Sequence, residues 1–138
     1  MTIKISHSFV LADDKEAALG FYRDTVGLVV VNDVQFETMR WLSLASPDRP
    51  DQEIVIESPA DNRNINDDDV QSVFRLLAKG MFTAMIFTVD DVDATFEKVQ
   101  ASGAEVIQEP IDQPYGVRDC AFRDPAGNHV RFSQVSSS

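Results

Sequence analysis

The sequence predicts an α+β protein built from two βαβββ modules, and three observations carry that prediction. One order of elements (strand, helix, three strands) occurs twice along the chain. The predicted helix of each module opens on an Asp-Asp pair, Asp13-Asp14 or Asp90-Asp91, and closes on a glycine, Gly27 or Gly103. The connector between the copies starts with a polar stretch.

The first module is expected over residues 1–58. Residues 3–11 are rich in apolar and β-branched types and read as a strand. Asp13 is placed to cap the helix that follows, with Glu16 three residues on in a capping-box pattern. Ala18, Leu19, Tyr22 and Val26 recur at helical spacing, although Gly20 inside the helix costs about 1 kcal/mol relative to Ala. Residues 28–34, 36–45 and 53–58 read as strands, the last two separated by a turn at Pro47-Asp48-Arg49-Pro50-Asp51.

The second module, 82–135, repeats this order. Residues 82–89 form a strand, and Val92, Phe96 and Val99 give its helix an apolar face. Strands follow at 104–109, 116–123 and His129–Val135, the last two joined by the turn Asp124-Pro125-Ala126-Gly127-Asn128. The connector, 59–81, carries Val70, Val73, Phe74 and Leu77 at helical spacing, which predicts a short helix. Its Asp67-Asp68-Asp69 run suits a solvated helix N-terminus and lacks the alternating spacing of a calcium loop. The serines at 136–138 read as a disordered tail.

Composition narrows the function. Twelve Lys+Arg against 23 Asp+Glu leave a net charge of −11 over 138 residues, which disfavours nucleic-acid phosphates as partners. No apolar stretch is long enough to span a bilayer, and the first residues lack the apolar core of a secretory signal. The lone Cys120 excludes an internal disulfide framework and reads as a small core residue. A cytoplasmic protein is expected.

Four segments carry a family resemblance: HSFVLADD at 7–14, GFYRDTVGL at 20–28, FTVDDV at 87–92 and FRDPAGNH at 122–129. Together they make the chain resemble the vicinal oxygen chelate superfamily, which includes glyoxalase I, the bleomycin-resistance proteins, fosfomycin-resistance enzymes and extradiol dioxygenases. The resemblance implies that the modules form curved mixed sheets around a cleft, within a homodimer, and that a small molecule is the partner. In metal-dependent relatives, ligands come from the first and last strand of each module. The resemblance places those positions at His7, Glu57, Ala84 and Arg131 of this chain, the second pair through the internal repeat.

Ala84 has no donor atom and Arg131 is a permanent cation, so no metal or other cofactor is expected. Any divalent transition metal would have only His7 and Glu57, with His129 one pleat from Arg131. Three side chains are therefore the catalytic candidates: His7 as acid or base, Glu57 as its partner and Arg131 as an anchor for an oxyanion. A purely structural network of the three is the competing account. Strand alternation adds Ile5, Phe9, Ala84, Ile86 and His129 as ligand contacts, with Trp41 on an unassigned face and Tyr115 and Arg118 near a Pro-Tyr-Gly loop.

Two function classes follow. One is a metal-independent or atypical lyase or isomerase. The other is a non-enzymatic protein that sequesters a drug or metabolite, resembling the bleomycin-resistance group.

Overall fold

The computed structural model describes residues 1–61 and 64–135 of the chain, so the 136–138 tail lies outside the described residues. Eight strands form two four-stranded sheets. The first sheet contains β1 (His7–Leu11), β2 (Val29–Phe36), β3 (Met39–Ala45) and β4 (Glu53–Glu57), in the order β1-β4-β3-β2. The second contains β5 (Thr83–Thr88), β6 (Glu105–Asp112), β7 (Val117–Arg123) and β8 (His129–Val135), in the order β5-β8-β7-β6. In each sheet the first strand pairs parallel with the last, and the other pairs are antiparallel. The helices are α1 (Lys15–Leu19), α2 (Asp67–Ala78) and α3 (Val92–Ala101). The chain divides into two compact units, Met1–Arg75 and Leu76–Ser138, with the division inside α2.

Alternation along the strands fixes which side chains meet the helix of each unit. In the first unit Val10, Leu42, Leu44 and Ile56 point to one face and are buried with Ala18, Leu19, Phe21 and Tyr22. In the second, Cys120, Phe122, Val130 and Phe132 are buried with Val92, Phe96 and Val99. Cys120 is thus a core residue, and burial followed by the Asp119 charge pushes its thiol up to about 11.

Several boundaries differ from the sequence expectation, each for a local reason. The first strand begins at His7, and residues 3–6 are exposed outside the ladder. The N-cap of α1 is Asp14: its carboxylate accepts from Glu16 N at 3.0 Å and Ala17 N at 3.1 Å, while Asp13 accepts only from Asp14 N. After Leu19 the helix widens into a π-turn, Gly20–Thr25, with Val26 N bonded to Phe21 O at 2.8 Å. Gly20 marks the transition, and the adjacent Phe21 and Tyr22 both enter the core, their rings 4.9 Å apart and nearly perpendicular.

The hairpin between β2 and β3 turns at Glu37-Thr38, two residues beyond the expected break at Gln35. Glu37 adopts φ 55°, a backbone region usually left to Gly or Asn, so no turn residue advertised it. In the second unit, β6 runs three residues past its expected end. It tolerates Pro110 because it is an edge strand whose register shifts between Gln108 and Ile111.

Candidate functional site

The helix-free face of the first sheet collects the side chains that alternate with the core. It carries His7 and Phe9 of β1, Glu53 and Glu57 of β4, and Met39, Trp41 and Ser43 of β3. A bulge at Val31 brings β2 into this set. Without it Val31 would stand opposite Ser43; with it Asn32 does, and Val34 and Phe36 fall level with Trp41 and Met39.

His7 and Glu53 are paired residues on the parallel strands β1 and β4, and their side chains meet at 3.0 Å between Nε2 and Oε2. The other carboxylate oxygen accepts from Ser43 Oγ at 2.7 Å and Asn32 Nδ2 at 3.2 Å. Chiefly the Ser43 bond, with the His7 charge and the Asn32 and His7 bonds adding to it, holds Glu53 below the usual carboxylate range against its desolvation. On the other side of the imidazole, Nδ1 lies 2.8 Å from Ser6 Oγ.

The aromatic part of the face adjoins this cluster. The ring of Trp41 sits 6.3 Å from Phe9 in an edge-to-face arrangement and 6.2 Å from His7 at a tilt of 59°. Phe9 remains 55% exposed, and Val34, Phe36 and Met39 on the same face are exposed as well. Trp41 therefore belongs to the helix-free face, which alternation in the sequence left open.

Glu57 does not join His7. It pairs with Leu11, four residues along β4 from Glu53, or about 13 Å at strand rise. The signal that could have found Glu53 is the parallel register of β1 against β4, which a linear repeat does not reveal.

The same reasoning revises the counterpart of Arg131. Phe9 and Ile86 each stand five residues before the aspartate that caps their helix, Asp14 and Asp91. Phe9 pairs with Val55 and Ile86 with Arg131, so Arg131 corresponds to Val55. Glu57 corresponds to Ser133, and Glu53 to His129.

On the helix-free face of the second sheet Arg131 is bound within its own unit rather than to Glu57. Its Nη1 lies 3.0 Å from Asp119 Oδ2 and donates to Gln108 Oε1 at 3.1 Å, and its Nη2 lies 3.3 Å from His129 Nε2. Asp119 is 1% exposed, and its Oδ1 accepts from Gln108 Nε2 at 2.8 Å and Gln113 Nε2 at 2.9 Å. Burial alone would raise its pKa; the Gln113, Gln108 and Arg131 contacts overcome that and hold it below the usual range. Asp119, Gln108 and Gln113 were not among the sequence candidates. Asp119 shares its strand face with Ala121, the residue opposite Arg131, and that diagonal offset is visible only once the strands are paired.

The remaining candidates scatter. Ile86 shares the Arg131 face, while the β5 register slips at Ala84, between Thr83 and Met85. Ile5 precedes β1, and Tyr115 lies exposed in the β6–β7 turn. Arg118 is on the helix side of its sheet, where it binds Asp93 of α3 at 2.9 Å and Asp112 at 3.4 Å. Its twin in the first unit is Arg40, which binds Glu16 of α1 at 2.6 Å and Asp33 at 2.8 Å. Both arginines fasten a helix to the sheet beneath it.

These residues do not fit a catalytic metal that needs three protein ligands and an open position. His7 and Glu53 offer one imidazole and one carboxylate, the latter already carrying two further hydrogen bonds. In the second unit the position of His7 is Ala84, and His129 directs Nε2 at a guanidinium.

The two repeated sheets, each with a helix on one face and a helix-free opposite face, define a paired βαβββ protein. The chain belongs to the Glyoxalase/Bleomycin resistance protein/Dioxygenase superfamily, which it matches over residues 4–132. Among solved structures it is similar to UcmS2, at 28% identity and a TM-score of 0.86, covering 96% of this chain and 98% of that one. It is also similar to TnmS3, an antibiotic binding protein from Streptomyces sp. CB03234, at 28% identity and a TM-score of 0.74 over 99% of both chains. A probable lactoylglutathione lyase from Synechocystis sp. is 25% identical over 133 residues, 95% of either chain. No helix among the described residues is long and apolar enough to cross a membrane.

Proposed function

We propose that this protein binds an aromatic small molecule against the Phe9–Trp41 face of its first unit and sequesters it without turnover. The observation that carries the reading is the aromatic surface itself: exposed Phe9 and half-buried Trp41 edge to face, with the His7–Glu53–Ser43–Asn32 cluster beside them. Exposed aromatic surface next to a few fixed polar groups is the composition of a ligand site. The charged groups are balanced by one another. Glu53 accepts from Ser43 and Asn32 and faces His7, and Arg131 is neutralised by Asp119, so neither stands ready as a base or an uncompensated cation. The resemblance to an antibiotic binding protein supports this reading.

Trp41 is the single tryptophan of the chain, so its fluorescence reports this face alone. Titration with 2-naphthol and with an anthracycline antibiotic should give saturable quenching, weakened about tenfold or more by Phe9→Ala through loss of ring contact. Linear, unsaturable quenching by both probes would overturn the reading.

The second reading is catalysis by His7, favoured by its 3.0 Å contact with Glu53, which orients the ring as a carboxylate–imidazole pair does in acid–base enzymes. Similarity to a probable lactoylglutathione lyase supports it. Loss of a screened isomerase or lyase activity in His7→Ala, with folding intact, would select it over sequestration.

A further inference from the structure

The bonds described for Arg131 account for three of its five N–H groups: Asp119 and Gln108 face Nη1, and His129 faces Nη2. Among the described residues, two donors remain without a partner on a side chain that is 23% exposed. The buried Asp119, held in turn by Gln108 and Gln113, fixes the guanidinium in place. Because a guanidinium only donates, His129 Nε2 must accept, and the imidazole carries its proton on Nδ1 as a further donor. Burial, then the charges of Arg131 and Arg123, lowers the His129 pKa and favours this neutral form. Level with Arg131 on β5, Ile86 is 67% exposed and offers an apolar surface next to the donors.

We propose that Arg131 and His129 form a subsite that donates hydrogen bonds to the oxygen of a neutral, carbonyl-bearing ligand, with Ile86 against the ligand's apolar body. Two charges argue for a neutral acceptor over an anion. Asp119 already balances Arg131 at 3.0 Å, and the chain as a whole carries −11. The inference rests on the reading above that this chain binds small molecules, and concerns a subsite built within the second unit alone.

The test uses the full 15N-labelled chain and three probes that share a ring: N,N-dimethylbenzamide, benzoate and toluene. Dimethylbenzamide should shift the Arg131 Nε–H and His129 ring resonances saturably. Benzoate should bind about tenfold more weakly, and toluene should leave both signals in place. Arg131→Lys keeps a cation for Asp119 while removing the planar fork, and should weaken dimethylbenzamide about tenfold. Should that variant fold poorly, the D119N/R131M double variant removes donor and counter-charge together and should abolish the shifts at His129. Equal binding by either folded variant, preference for benzoate, or no shift with dimethylbenzamide overturns the proposal. Saturable quenching of Trp41 by 2-naphthol in the same sample assigns such a failure to this subsite alone, whereas loss of both signals counts against the ligand-binding reading as well.

Discussion

His7 Nε2 and Glu53 Oε2 lie 3.0 Å apart because β1 and β4 run parallel in a register that sets these two residues side by side. The contact is reinforced from the neighbouring strands: Ser43 of β3 and Asn32 of β2 both reach the other oxygen of Glu53. Four side chains from four strands thus form one polar cluster on the helix-free face, beside the aromatic pair.

The first prediction concerns the carboxylate of that cluster. Its pKa is lowered mainly by the Ser43 hydroxyl, so Ser43→Ala should move it back toward the ordinary glutamate value. The sign follows from the direction of the shift. A depressed folded pKa stabilises the fold above the unfolded value, near 4.3, and that contribution fades as pH falls through the folded one. Carboxyl 13C titration by NMR should show Glu53 titrating below free glutamate in the parent chain and higher in Ser43→Ala. An unchanged midpoint would remove Ser43 as the cause.

A second prediction tests Arg118 against the proposed ligand site. Arg118 and Arg40 occupy equivalent helix-side positions, each binding an acid on the helix and another on the neighbouring edge strand. Arg118→Gln should lower the melting temperature slightly, as loss of solvent-exposed ion pairs does, while leaving 2-naphthol affinity within twofold of the parent. Arg40→Gln should behave alike. A strong loss of affinity in Arg118→Gln would place Arg118 at the proposed binding surface.

The fate of Arg118 shows how far the sequence was legible. The repeat, the helix-capping aspartates and the alternation of apolar residues were enough to place two βαβββ modules, because each is a local signal repeated twice. Side-chain partnerships were not, because they depend on register between strands distant in sequence. Glu57 and Glu53 share a strand face, and only the pairing of His7 with Glu53 distinguishes them. Asp119 lies beside Arg118 in the sequence but points to the opposite face, where it meets Arg131. Bulges compound the problem: at Val31 one extra residue turns Asn32, Val34 and Phe36 onto the face that carries Trp41.

A third prediction tests the glycines of the second unit. Gly127 has φ 115°, and a Cβ there would press into the backbone carbonyl of Leu77, which cannot swing away. Gly80, at φ 79°, would instead meet the guanidinium of Arg123, the far end of a flexible side chain that also binds Glu105 at 2.6 Å. Both alanine variants bear the cost of a positive φ, about 1–2 kcal/mol. Gly127→Ala should cost more, about 3 kcal/mol or above, since backbone must move as well. Urea denaturation of the two variants should rank them in that order; the reverse ranking would mean that the Leu77 backbone yields readily.

The last prediction concerns the buried pair in the second sheet. Asp119 is almost fully enclosed, with Arg131 as its cationic partner and two glutamines on its other oxygen. Removing one member strands the other, so Asp119→Ala should destabilise the fold by about 3–5 kcal/mol. Replacing both members by well-packed apolar residues, as in D119L/R131M, should cost far less than the two single losses added together. The pH dependence carries two contributions of known sign. Asp119, with its pKa lowered, stabilises the fold above its ordinary value and loses that contribution as pH drops through the folded one. His129, also lowered, is held neutral in the fold, so stability should begin to fall as pH drops below about 6.5, where the unfolded imidazole takes its proton first. His129→Gln should flatten the curve between pH 6.5 and the folded pKa of His129 while leaving the more acidic limb of Asp119 in place. Chemical denaturation across pH 3–8 reads both limbs, and a His129→Gln curve that overlays the parent would show that the imidazole is not held neutral.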